Sequence, residues 1–150
     1  MDRTVARVEM LIRKPVEEVF DAFVNPAMLL RFWLSKASGP LAPGARVDWE
    51  FMVPGATEQV TVTSFVANEQ LAYTWSDDIF VKLLFHPHVG IGTRVTVHVS
   101  GFSGPDITAQ AINMTEGFTL VLCDLKCLLE TGQSGNMVRD KAALIAAPRF

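Results

Sequence analysis

The sequence predicts an α+β domain in which an antiparallel sheet packs against one long C-terminal helix. Three observations carry that reading. The stretch Asp106–Gly132, DITAQAINMTEGFTLVLCDLKCLLETG, repeats apolar residues every three or four positions: Ile107, Ala111, Met114, Phe118, Leu122, Leu125 and Leu129. Before it, five β-type runs between Val47 and Val99 are separated by turns too short for a crossover helix, which makes them an antiparallel meander. A further run, Val5–Ile12, has no hairpin neighbour and is expected to pair with the last strand. The expected sheet is therefore six-stranded, within one domain spanning residues 1–150.

In Val5–Ile12 the residues Ala6, Val8, Met10 and Ile12 alternate with Arg7 and Glu9, the period of a half-buried strand. Pro15 then opens a short helix whose first turn carries Glu17 and Glu18 against the positive end of the dipole. Val16, Val19, Phe20 and Phe23 form its apolar face. Asn25-Pro26 ends this helix and starts a second, Ala27–Trp33, with a side-chain cap followed by proline. A loop from Ser38-Gly39-Pro40 to Pro43-Gly44 leads into Val47, Trp49, Phe51 and Val53, closed by Pro54-Gly55. Val60–Val66 pairs with that run. Asn68-Glu69 turns the chain into Leu71, Tyr73 and Trp75, and Ser76-Asp77-Asp78 into Ile79, Val81, Leu83 and Phe85. The segment HPHVGIG reverses direction before Val95, Val97 and Val99. Gly132 sits where the C-cap of the long helix is expected, and the last ~15 residues form a tail to which the sequence assigns no structure.

Composition excludes several classes. Apolar residues make up 49% and charged residues 19%, a globular balance. No apolar run approaches the ~18 residues of a membrane span, and MDRTVARVEM has no apolar core of a signal peptide. A cytoplasmic protein is the expectation, without membrane insertion. The net charge is −3 and no Lys/Arg cluster is present, which argues against nucleic acid. Cys123 and Cys127, four apart on one helix, are expected to be free thiols. Asn113-Met114-Thr115 falls inside the helix and is not read as a glycosylation site.

The chain resembles the helix-grip, or START-like (SRPBCC), superfamily, and within it the branch related to the activator of Hsp90 ATPase. The residues that carry the resemblance are Ile12-Arg13-Lys14-Pro15-Val16-Glu17-Glu18-Val19-Phe20-Asp21-Ala22-Phe23, then Asn25-Pro26 leading to Phe32-Trp33. They continue with Leu71-Ala72-Tyr73-Thr74-Trp75, Gly92-Thr93-Arg94-Val95-Thr96-Val97, Glu116-Gly117-Phe118 and Leu128-Leu129-Glu130-Thr131-Gly132. Where the family usually has Gly-Trp, this chain has Gly117-Phe118, keeping an aromatic but losing the indole donor. The resemblance implies a curved sheet wrapped around the long helix, with a cavity between them. It also implies, as classes, binders of lipids, plant hormones, flavonoids or polyketides, enzymes of cyclisation or dehydration, and an Hsp90 co-chaperone. The last ranks below the others, because Hsp90 activators carry an additional domain.

The residues expected to line such a cavity are Trp33, Trp49, Phe51, Tyr73, Trp75, Phe85, Met114 and Phe118, with Met52 as a further flexible apolar group. Asn113, Thr115 and Glu116 are positioned to orient a polar end of a ligand. Asp48, Glu50 and Lys82 fall in the polar phase of their strands, so no catalytic residue is assigned. His86, His88 and His98 lack further ligands at metal-binding spacing, so neither a metal nor a cofactor is expected. The sequence thus points to a monomer or weak homodimer that binds a small apolar molecule: a lipid, a polyketide or an aromatic compound. An enzyme of cyclase, aromatase or hydratase type is the alternative.

Overall fold

The computed structural model describes residues 4–147; the first three and last three residues of the expected domain lie outside that range. Its elements are β1 (Ala6–Ile12), α1 (Val16–Val24), α2 (Pro26–Phe32), β2 (Leu34–Ala37), β3 (Arg46–Phe51), β4 (Thr57–Val66), β5 (Gln70–Thr74), β6 (Phe80–His88), β7 (Gly92–Ser100), α3 (Ile107–Thr131) and α4 (Met137–Ala146). One open antiparallel sheet runs β1-β7-β6-β5-β4-β3-β2. As expected, β1 pairs with the last strand, in the register Ala6↔Val99 to Ile12↔Thr93. The arrangement is a helix-grip fold.

The sheet has seven strands rather than six. The extra one, β2, spans only Leu34–Ala37 and is interrupted by a register shift between Leu34 and Lys36. Four residues with a bulge leave no alternation to detect. His86-Pro87-His88, expected to turn, instead extends β6 and pairs with Arg94, Thr93 and Gly92. Reversal comes at Val89–Ile91, where the Ile91 N–H bonds the His88 carbonyl. Gly92 is required just beyond: any Cβ there would collide with the Ile12 carbonyl oxygen.

α1 packs on β6 and β7, and α2 on β2 and α3. Asn25 caps α2 by accepting a hydrogen bond from the Ala27 N–H at 3.0 Å. Phe20 packs edge-on against Phe65 and Phe85, and Phe23 against Phe32, Trp33 and Phe85. Helix α3 ends at Gly132, whose left-handed backbone (φ 87°) returns its N–H to Leu128 and whose carbonyl accepts from Arg31. Its lower half is fixed to β1 by polar contacts. The Lys126 ammonium reaches the Leu11 carbonyl and the Glu130 carboxylate, each at 2.7 Å, while Glu130 also accepts the Arg13 N–H at 2.8 Å. Burial pulls the Glu130 carboxyl upward, but the hydrogen bonds from Lys126 and Arg13 and their charges outweigh it and leave its pKa lowered.

The apolar stripe of α3 is unevenly covered. Phe118, Val121, Leu122, Leu125, Leu128 and Leu129 are buried, whereas Ile107, Ala111 and Met114 are only partly so. The tail forms a helix of its own, α4, which packs on α3. Asp124, 1% exposed, holds its entry: one oxygen accepts from the Ser134 hydroxyl (2.6 Å) and the Gly135 N–H (3.1 Å), the other from the Val138 N–H (3.2 Å).

Candidate functional site

A cavity of about 350 Å³ opens where the less covered half of α3 faces the end of the sheet. Trp33 follows α2, Phe51 ends β3, and Trp75 directly follows β5, so three elements each deliver one ring at the same level. Phe118 of α3 completes the group. Its ring stacks on Trp75 (centroids 6.1 Å apart, planes at 10°) and meets Trp33 edge-on at 5.5 Å. Phe51 lies 6.2 Å from Trp33 and 5.8 Å from Trp75. The turn after β3 adds Met52, Val53 and Ala56, and α3 adds Met114, Gly117, Leu120 and Val121. A Cβ built on Gly117 would meet no atom within 4 Å, which marks the open side of this face.

The remaining wall is α4. Val138, Lys141, Ala142 and Ile145 line the cavity, at i, i+3, i+4 and i+7 of a short amphipathic helix. That spacing was present in the sequence. It lay beyond the apparent C-cap at Gly132, in the segment to which no structure had been assigned.

Of the eight aromatic and methionine residues expected at the site, Trp33, Phe51, Trp75, Met114 and Phe118 line the cavity together. Trp49 and Tyr73 stand behind them, Trp49 at 5.1 Å from Trp33 and Tyr73 at 5.4 Å from Trp49. Phe85 belongs to the other aromatic group, 5.0 Å from Phe20. Asn113, Thr115 and Glu116 are exposed. The Thr115 hydroxyl donates back to the Ala111 carbonyl, and Glu116 pairs with Lys141 at 3.1 Å. Alternation along a strand finds the inward phase, but it does not say how deep along the interior each residue sits.

The chemistry of the cavity is narrow. Among its lining residues Lys141 is the one titratable side chain. Three buried donors nearby, the indole N–H groups of Trp49 and Trp75 and the hydroxyl of Tyr73, have no hydrogen-bond partner. Burial pushes the Tyr73 phenol well above its ordinary value. Among the described residues no three His, Cys, Asp or Glu side chains are grouped to hold a metal, and both cysteines are free. Nor is any helix among them long and apolar enough to cross a membrane. A second, wider concavity of about 880 Å³ lies along β2–β4, lined by Ser35, Lys36, Asp48, Glu50 and Glu58 among others. It is lined mainly by polar side chains, and its groups bond one another, Ser35 to Glu50 and Ser76 to Glu58. The apolar lining, not volume, singles out the first.

A seven-stranded sheet gripping a C-terminal helix over an apolar cavity defines a START-like protein. Residues 13–130 match the family described as activator of Hsp90 ATPase homolog 1-like protein, and the chain belongs to that family. No curated protein matches. Among solved structures, a protein from Staphylococcus saprophyticus is 26% identical, with a TM-score of 0.77 over 87% of this chain and 95% of its own. DynU16, a protein of the dynemicin biosynthetic locus, is 21% identical with a TM-score of 0.78, and this chain spans 48% of its length. The Aha1 dimer from Colwellia psychrerythraea is 17% identical, with a TM-score of 0.76 over 87% of this chain and 99% of its own. The last two likenesses establish the fold alone.

Proposed function

We propose that this protein is a cytoplasmic carrier or sensor of a small apolar molecule (a lipid, polyketide or aromatic compound) held between the sheet end, α3 and α4. The observation that carries the reading is the lining itself: four aromatic rings, Met114 and the apolar face of α4 around about 350 Å³. Ligand cavities typically measure ~300–1,000 Å³ and are lined mainly by such groups. Turnover of cyclase or hydratase type needs an acid or base facing the ligand. The lining offers only Lys141, already paired with Glu116. The family name and the Aha1 likeness keep an Hsp90-directed role as a further reading, to which no feature of the cavity contributes.

Met114→Trp tests the cavity. In a close-packed interior the added ring would cost ~1–3 kcal/mol, lowering the melting temperature by roughly 2–4 °C per kcal/mol. With the cavity present, the indole occupies free space. The melting temperature then holds or rises, and binding of an apolar fluorescent probe falls sharply. A destabilised variant with unaltered probe binding would show ordinary core. Native mass spectrometry of freshly purified protein would report a co-purifying ligand directly.

A further inference from the structure

We infer that the ligand is a carboxylate amphiphile, with its apolar body among the aromatic rings and its carboxylate on the Lys141 ammonium. This rests on the cavity being a binding site and names the class of molecule it takes. Lys141, one turn from both Val138 and Ile145 on α4, is the one charged side chain in the cavity wall. A molecule seated there has one place to put a charge, and that place is positive.

The ammonium already pairs with a carboxylate. Lys141 Nζ now holds the Glu116 carboxylate, with Oε1 at 3.1 Å. That bond is a surface ion pair, Lys141 being 36% and Glu116 56% exposed at the side chain, and such pairs contribute little. An arriving carboxylate replaces Glu116 like for like. The displaced Glu116 side chain turns to water, which already covers more than half of it. The exchange keeps the ammonium paired while the apolar body leaves water, so the ligand gains the burial term that Glu116 does not provide. Asp140 and Arg139, the other charges beside Lys141 on α4, are exposed and do not line the cavity.

The alternative for Lys141 is that its methylene stem merely covers apolar surface while the ammonium points to water. Lys141→Met separates the two, because it keeps a stem of similar length and removes the charge. Decanoate and 1-decanol, matched in chain, are titrated into wild type, Lys141→Met and Glu116→Gln at neutral pH. Wild type is expected to prefer decanoate. Lys141→Met should lower decanoate affinity roughly three- to five-fold and leave decanol unchanged. Glu116→Gln, which frees the ammonium and removes a competing negative charge, should raise decanoate affinity alone. Equal affinities for the two ligands in all three proteins would overturn the carboxylate assignment while leaving the cavity intact. Failure of both ligands to bind wild type would instead remove the binding site itself, and this inference with it.

Discussion

Tyr73 is 1% exposed and its hydroxyl meets no acceptor, an arrangement that costs about 1–3 kcal/mol for a buried polar group. Its phenol is held neutral because ionisation would place a charge where water does not reach. With the folded pKa raised above the unfolded one, the resulting stability is full below the ordinary value of 10.0 and is lost as pH climbs past it. Tyr73 is the only tyrosine of the chain, so tyrosinate absorbance reports this residue alone. The tyrosinate band should appear only together with loss of near-ultraviolet circular dichroism, and Tyr73→Phe should flatten the alkaline limb of the stability curve. A tyrosinate band rising near pH 10 in folded protein would show that the hydroxyl is hydrated. At this scale the sequence was readable for side-chain type and phase: six of the eight expected residues are buried, Phe51 and Met114 are partly so, and five share one cavity. Asp124 was not readable, because a single polar residue within an apolar helix face carries no pattern. Its role exists only through Ser134, Gly135 and Val138.

The outer face of the sheet gives an example at the level of whole strands. Register places Arg7 of β1, His98 of β7 and Lys82 of β6 side by side across three strands. Partial burial lowers the His98 pKa, and the neighbouring charges of Arg7 and Lys82 lower it further. A depressed folded pKa means that the stability is present above the unfolded value of about 6.5 and is lost as pH falls through the folded one. His98→Gln should therefore leave the melting temperature at neutral pH nearly unchanged and reduce its decline on the acid side. A nuclear magnetic resonance titration placing His98 above 6.5 would contradict the row of cations. The meander itself was legible because each strand alternates and each turn carries its own Gly, Asn, Asp or Pro. Elements failed to register where their length fell below one period of evidence, as in Leu34–Ala37, or where a strong stop signal preceded them, as Gly132 precedes α4.

The molecule as a whole is a sheet and a helix with α4 as a third wall of the cavity. The lower half of α3 is locked to β1 through Lys126, Glu130, Leu11 and Arg13. By contrast α4 packs on α3, tied at its start by Asp124 and near its middle by the Lys141–Glu116 pair. Ten residues of helix are not stable alone in water, so α4 persists through its docking. Hydrogen bonds to a charged group contribute about 1.5–3 kcal/mol each, which makes the Asp124 carboxylate the stronger tie and the exposed ion pair the weaker. Asp124→Ala leaves the Gly135 and Val138 N–H groups without their acceptor. The expected result is local: amide hydrogen exchange across Met137–Ala146 accelerates strongly, while the central strands β5–β7 keep their protection. Because α4 supplies Val138, Lys141, Ala142 and Ile145 to the cavity, probe binding should weaken in the same variant. Loss of protection spread evenly over the sheet would show instead that α4 unfolds only with the whole domain. The cavity would then have no wall able to open separately.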